Sequence, residues 1–69
     1  MDDSTIAMLE ESYIETVQEA LAAGHSKLEA HKEGVVAAAM LLASLNGAED
    51  DAARAAVAAL NFRPDLVAA

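Results

Sequence analysis

The sequence has no cysteine and no tryptophan, and only one proline, three glycines, one tyrosine and one phenylalanine in 69 residues. Without cysteine no disulfide can stabilise the fold, and the ligand most typical of structural zinc sites is missing. Alanine, leucine and glutamate, which favour helices, are abundant, whereas aromatic and β-branched residues are sparse. The composition therefore predicts an all-α protein.

Basic residues are also few. Four of them stand against 12 acidic residues, which gives a net charge of −8. They are Lys27, Lys32, Arg54 and Arg63. Nucleic-acid binding needs a basic surface that neutralises phosphates, and an anionic membrane surface repels an acidic chain, so we expect neither partner. The sign of the charge favours a basic partner protein.

Long hydrophobic runs are missing too. The longest apolar run, 35–43, has nine residues, far short of the roughly 20 that span a bilayer. The first residues, Met1–Ser4, are acidic, and no Lys or Arg precedes the first apolar residues, unlike a signal peptide. We therefore expect a cytoplasmic protein.

Capping residues divide the chain into three predicted helices within a single domain, 1–69. Ser4 and Ser26 are good N-caps, and Ser26 opens a Ser-x-x-Glu capping box. Gly24 and Gly47 are good helix stops, and Pro64 prevents continuation of the last helix. The predicted helices cover 5–23, 27–45 and 49–61, followed by a short tail, 62–69.

Short loops make sequential helices antiparallel neighbours, so we expect a small antiparallel three-helix bundle. The alternative is a helical hairpin with a third helix attached. Each helix has a predicted apolar face. In helix 1 it comprises Ile6, Leu9, Tyr13, Ile14, Val17, Ala20 and Leu21. In helix 2 it comprises Leu28, His31, Val35, Ala38, Leu42 and Leu45. In helix 3 it comprises Ala53, Ala56, Val57 and Leu60.

Helix 2 is apolar on a second side as well. Val36 and Met40 project from the side opposite the predicted core face, Ala43 lies beside them, and Met8 of helix 1 extends the patch. A chain this small, without disulfides, barely offsets its conformational entropy by burial. We therefore expect homodimerisation to complete the fold. The second face is then either a homodimer seam or a groove for a partner helix.

Two histidines are candidates for chemistry. His31 lies on the apolar face of helix 2 and is a candidate pH switch, because histidine titrates near neutrality. The alternative is a histidine at the edge of the core whose tip reaches solvent or helix 1. His25, Glu29 and Glu33 are spaced by four and can line one helix face, as metal ligands or as an ordinary solvated surface.

The tail supplies the remaining candidates. Phe62 and Leu66 are candidate partner contacts, with the alternative that Phe62 folds back over the end of helix 3. Ser44 is too far along helix 2 from either histidine for nucleophilic catalysis, at 1.5 Å rise per residue. The sequence has no HExxH, GxSxG or phosphate-loop motif. We expect no catalysis and no cofactor.

These observations predict a small acidic helical protein that works through protein–protein interaction, as a regulatory or accessory subunit and a homodimer. One alternative is an acidic antagonist or mimic that binds a basic protein surface, with affinity that falls with salt. The other is a helical bundle that binds a metal or small ligand through His25 and His31.

Overall fold

Three α-helices and one short 3₁₀ turn make up the fold. The computed structural model describes residues 1–66, except for the side chain of Leu66. The elements are α1 (Asp3–Ala22), α2 (Lys27–Asn46), α3 (Asp50–Ala59) and the 3₁₀ turn (Pro64–Leu66). Residues 1–66 contain no strand, so the predicted all-α class is confirmed. None of these helices is both long and apolar enough to cross a lipid bilayer.

α1 begins two residues earlier than the sequence predicts. Its N-cap is Asp2, whose carboxylate accepts a hydrogen bond from the backbone N–H of Thr5 at 2.9 Å. Ser4, the predicted cap, lies inside the first turn. Aspartate caps a helix as well as serine does, and the earlier start adds backbone hydrogen bonds.

α2 begins at the predicted residue, Lys27, and ends at Asn46, one residue later than predicted. The Ser26 hydroxyl accepts from the Glu29 N–H at 3.1 Å, and the Glu29 carboxylate accepts from the Ser26 N–H at 3.3 Å. These two bonds complete the predicted capping box. At the other end Gly47 is left-handed, with φ of 71°, and donates to the Ala43 carbonyl at 2.8 Å.

α3 is shorter than predicted. It ends at Ala59, and Leu60 is its C-cap, whereas the sequence predicts helix to Asn61. Asn61 has a positive φ of 57°, which asparagine tolerates better than other side chains. A left-handed residue at this point reverses the chain, so that Phe62 turns back toward the helices.

α2 is the central element. It packs against both α1 and α3, whereas α1 and α3 barely touch, and the 3₁₀ turn contacts α1 and α2. The buried apolar side chains come from all three helices and from the segment after α3: Leu9, Tyr13, Val17, Ala20, Ala30, Ala38, Ala39, Leu42, Ala53, Val57 and Phe62.

The buried face of α2 differs from the predicted one. The sequence places Leu28 and Leu45 on the core face, but their side chains are 62% and 48% exposed. The residues buried instead are small, and Ala30, Gly34 and Ala38 follow one another at intervals of four. The prediction was therefore wrong for Leu28 and Leu45 but correct for Ala38 and Leu42, which are buried. It weighted large side chains, whereas at Gly34 the large side chains come from α1.

Gly34 sets how closely α1 approaches α2. A Cβ atom at Gly34 would lie 2.6 Å from Cδ2 of Tyr13 and 2.8 Å from Cγ2 of Val17, inside van der Waals contact. Both α1 side chains are fully buried. The aromatic ring therefore occupies the space that any side chain at position 34 would need.

Gly34→Ala tests this contact, because the contact determines whether the substitution raises or lowers the free energy of unfolding. At an ordinary helix position, Gly→Ala stabilises by about 1 kcal/mol. Here we expect a net loss of about 1–3 kcal/mol, because the added methyl group overpacks the α1–α2 contact. Urea unfolding followed by circular dichroism measures it, and a stabilised variant would contradict the close approach.

The capping box makes part of the stability depend on pH. Hydrogen bonds from the backbone and hydroxyl of Ser26 hold the pKa of Glu29 below its ordinary value. Because the folded pKa is the lower one, this contribution is complete above the unfolded pKa and is lost as pH falls through the folded pKa.

Glu29→Gln retains an oxygen acceptor but removes the charge. We expect the wild type to melt at a higher temperature than this variant at pH 7, and the difference to vanish toward pH 3. Glu15→Gln, which changes an exposed glutamate in the middle of α1 and away from the helix caps, is the matched control. Melting curves that respond to acid in the same way for both variants would show that the Glu29 carboxylate does not act through the cap.

Candidate functional site

Tyr13 connects α1 to the candidate site. Its ring lies on Gly34, and its hydroxyl is 2.8 Å from Nδ1 of His31 on α2. The two rings meet edge to face, with centroids 5.7 Å apart and planes at 75°. The structure thus places His31 at the edge of the core, with its Nδ1 hydrogen-bonded to the Tyr13 side chain of α1.

The hydroxyl of Tyr13 stays protonated near neutrality. Burial, together with the Asp65 carboxylate, raises the pKa of Tyr13 above its ordinary value. The hydroxyl can donate to an Nδ1 that carries no proton, and it accepts from Nδ1 when that nitrogen carries a proton. The hydrogen bond orients the ring in both states, and a role of His31 as a pH switch stays a prediction.

Phe62 forms the other side of this aromatic group. Its ring lies 5.3 Å from that of Tyr13, tilted by 35°, and only 7% of the residue is exposed. The sequence offers Phe62 as a partner contact, but the reversal at Asn61 returns it to the core. The side chain of Leu66, the other candidate of the tail, lies outside the described residues.

A cavity of about 520 Å³ opens between α2 and α3 beside His31 and Phe62. We call it the α2/α3 cavity. Its lining residues are His31, Lys32, Val35 and Val36 from α2, Arg54, Val57 and Ala58 from α3, and Asn61 and Phe62 from the segment that follows. The volume is in the range of sites that hold small organic ligands, and the walls are mostly apolar, as such sites are.

The charged residues that line this cavity are basic, whereas the chain as a whole has a net charge of −8. Lys32 and Arg54 line it, and no Asp or Glu does. Lys27 and Arg63 line an adjacent cavity that shares His31 and Phe62. All four basic residues therefore lie along one side of a chain with a net charge of −8. Among residues 1–66, Lys32 and Arg54 have no carboxylate within ion-pair distance.

A second feature, the Met40 strip, continues along α2 from this cavity. It consists of Val36 and Met40, which line two smaller cavities of about 300 and 230 Å³. Met40 is 66% exposed, and Val36 also lines the α2/α3 cavity. Glu33 and Asp50 lie beside the strip. The structure thus brings together two of the four predicted interface residues.

The structure does not bring the other two to the strip. Ala43 packs against the core. Met8 is exposed on α1, and no residue of α1 lines the cavities beside the strip.

The predicted metal ligands do not come together either. His25 Nδ1 lies 3.9 Å from a Glu29 carboxylate oxygen, and both side chains are exposed. Within residues 1–66 there is no group of three or more side chains able to hold a metal ion.

The sequence-based prediction gives no site role to two of these residues, Arg54 and Gly34. Arg54 appears there only as one of four basic residues, and Gly34 does not appear at all. An isolated glycine within a helical pattern is a recognisable sign of close backbone approach, and it was available for Gly34. Arg54 carries no comparable sign, because its place opposite Lys32 depends on how α3 packs on α2.

Comparison with protein-family models, with curated proteins and with solved structures found no match for this chain.

The bond between Tyr13 and His31 is tested by a double-mutant cycle. Tyr13→Phe keeps the buried ring and removes the hydroxyl, so we expect a loss of about 1 kcal/mol in the free energy of unfolding. His31→Leu should cost less in the Tyr13→Phe background than in the wild type, by a coupling of about 1 kcal/mol. Losses that simply add would show that the contact contributes nothing.

Proposed function

We propose that this protein acts by binding, without catalysis of its own, and that it is a homodimer joined through the Met40 strip. In this proposal it is a regulatory or accessory subunit, and the sequential helices are antiparallel. The three-residue connection 47–49 and the four-residue connection 23–26 favour that arrangement. The single observation that carries the proposal is the exposure of Met40 at the centre of a surface lined by apolar cavities.

The charges beside the strip fit a second copy of the chain. In a two-fold dimer a surface faces itself, so it must contain both signs of charge if charged groups are to pair. Lys32 and Glu33 line one of the cavities beside the strip, and Arg54 and Asp50 line the other. Each cation can therefore meet an acidic residue of the second copy.

The area required is modest. A stable interface buries about 600 Å² or more on each partner, out of 4448 Å² for this chain. Methionine suits such a surface because its flexible side chain adapts to irregular gaps. Covering Met40 and Val36 also removes apolar surface from water, which a chain of this size needs.

The competing functions rest on less. The antagonist of a basic protein rests on the net charge, and the cytoplasmic location on the sequence alone; both stay predictions. The metal-binding bundle has no group of ligands within residues 1–66.

Met40→Asp tests the dimer. We expect the wild type to sediment near 14.2 kDa, twice the 7.1 kDa of the chain. The variant should sediment as a monomer with unchanged helical content, because a charge at the centre of the interface would be buried without a partner. Sedimentation equilibrium at several concentrations measures the mass, and circular dichroism checks the fold.

Met8→Asp is the matched control, since Met8 is also an exposed methionine, on α1 and away from the strip. It should leave the dimer intact. A wild type that stays at 7.1 kDa, or a dimer that Met40→Asp leaves unchanged, would overturn the proposal.

A further inference from the structure

We propose that the α2/α3 cavity binds a small organic acid, a carboxylate carried on an apolar body. This site adjoins the proposed dimer contact and shares Lys32, Val36 and Arg54 with it. It would be a ligand-binding function in its own right.

The walls of the cavity require an apolar body. Val35, Val36 and Val57 line it together with Phe62, and the buried Phe62 ring is fixed by its contact with Tyr13. A free inorganic anion would leave these walls in contact with water. A ligand with an alkyl or aromatic body would cover them, which is favourable in proportion to the apolar area removed from water.

The charges at the cavity require an anionic group. Lys32 and Arg54 are exposed there, and they come from different helices. The guanidinium of arginine matches a carboxylate with two parallel hydrogen bonds, and lysine adds a point charge. A cationic ligand would meet both positive charges and no acidic lining residue.

His31 adds a donor of the same kind. Its Nδ1 is engaged by the Tyr13 hydroxyl at 2.8 Å, and when that hydroxyl donates, the neutral ring carries its proton on Nε2. An N–H group on a residue that lines the cavity favours an acceptor such as a carboxylate oxygen. Geometry, charge and hydrogen-bonding capacity therefore specify the same class of ligand.

The probe is octanoate, titrated into the isotope-labelled chain of 69 residues and followed by backbone amide shifts and by calorimetry. Acetate has the same headgroup without the body, and octylammonium has the same body with the opposite charge. We expect octanoate to shift the amides of Val36, Arg54 and Asn61. Octylammonium should bind at least about tenfold more weakly because it lacks the charge-assisted bond, and acetate at least about tenfold more weakly because it has no apolar body to bury.

Arg54→Gln should weaken octanoate binding by about tenfold, because it replaces the guanidinium by a neutral amide. The positive charge and the two parallel hydrogen bonds to the carboxylate are then lost. Arg63→Gln is the matched control, since it changes the net charge equally and does not line the cavity. It should change the affinity less than about twofold. Equal binding of octylammonium and octanoate, or equal affinities of the two variants, would overturn the site.

The dimer and the acid site fail separately. A monomeric wild type that binds octanoate supports the site and overturns only the dimer. A dimeric wild type that ignores octanoate, together with a monomeric Met40→Asp variant that ignores it as well, overturns the site alone.

Discussion

The contact between Gly34 and the side chains of Tyr13 and Val17 determines the spacing of α1 and α2. With no Cβ in the way, an aromatic ring lies directly on the backbone of the neighbouring helix, where a methyl carbon would be 2.6 Å from it. Close packing of this kind leaves the ring one position. Tyr13 is consequently fully buried and can serve as a fixed point for the groups around it.

Two parts of the site depend on that fixed point. The Tyr13 hydroxyl orients His31, and the Tyr13 ring supports Phe62 after the chain reverses at Asn61. His31 and Phe62 both line the cavity between α2 and α3. A contact on one side of α2 is thus transmitted, through one tyrosine, to a cavity on its other side. The central helix is the element that makes this possible, because it alone packs against both of the others.

Local signals in the sequence predict the local structure well. The capping box at Ser26, the left-handed Gly47 and the apolar faces of helices 1 and 3 are all present, and Val36 and Met40 do line adjoining cavities. The packing face of α2 could not be read in the same way. Hydrophobic periodicity weights large side chains, whereas this face, apart from Leu42, is built from small ones, and Tyr13 and Val17 of α1 pack on it at Gly34. That Lys32 and Arg54 line the same cavity likewise depends on tertiary packing, which the spacing of residues along the chain does not reveal.

The small residues of α2 also affect the entropy of folding. Burying a leucine or methionine freezes rotatable bonds, at about 0.5–2 kcal/mol per side chain, whereas burying alanine freezes none. Ala30, Ala38 and Ala39 are all buried on this helix, and Ala20 of α1 and Ala53 of α3 belong to the same core. The chain therefore orders much of its interior without restricting side-chain motion. Core alanine therefore has two effects in this chain of 69 residues. It lowers the entropic cost of folding, and it also limits the apolar area that folding buries.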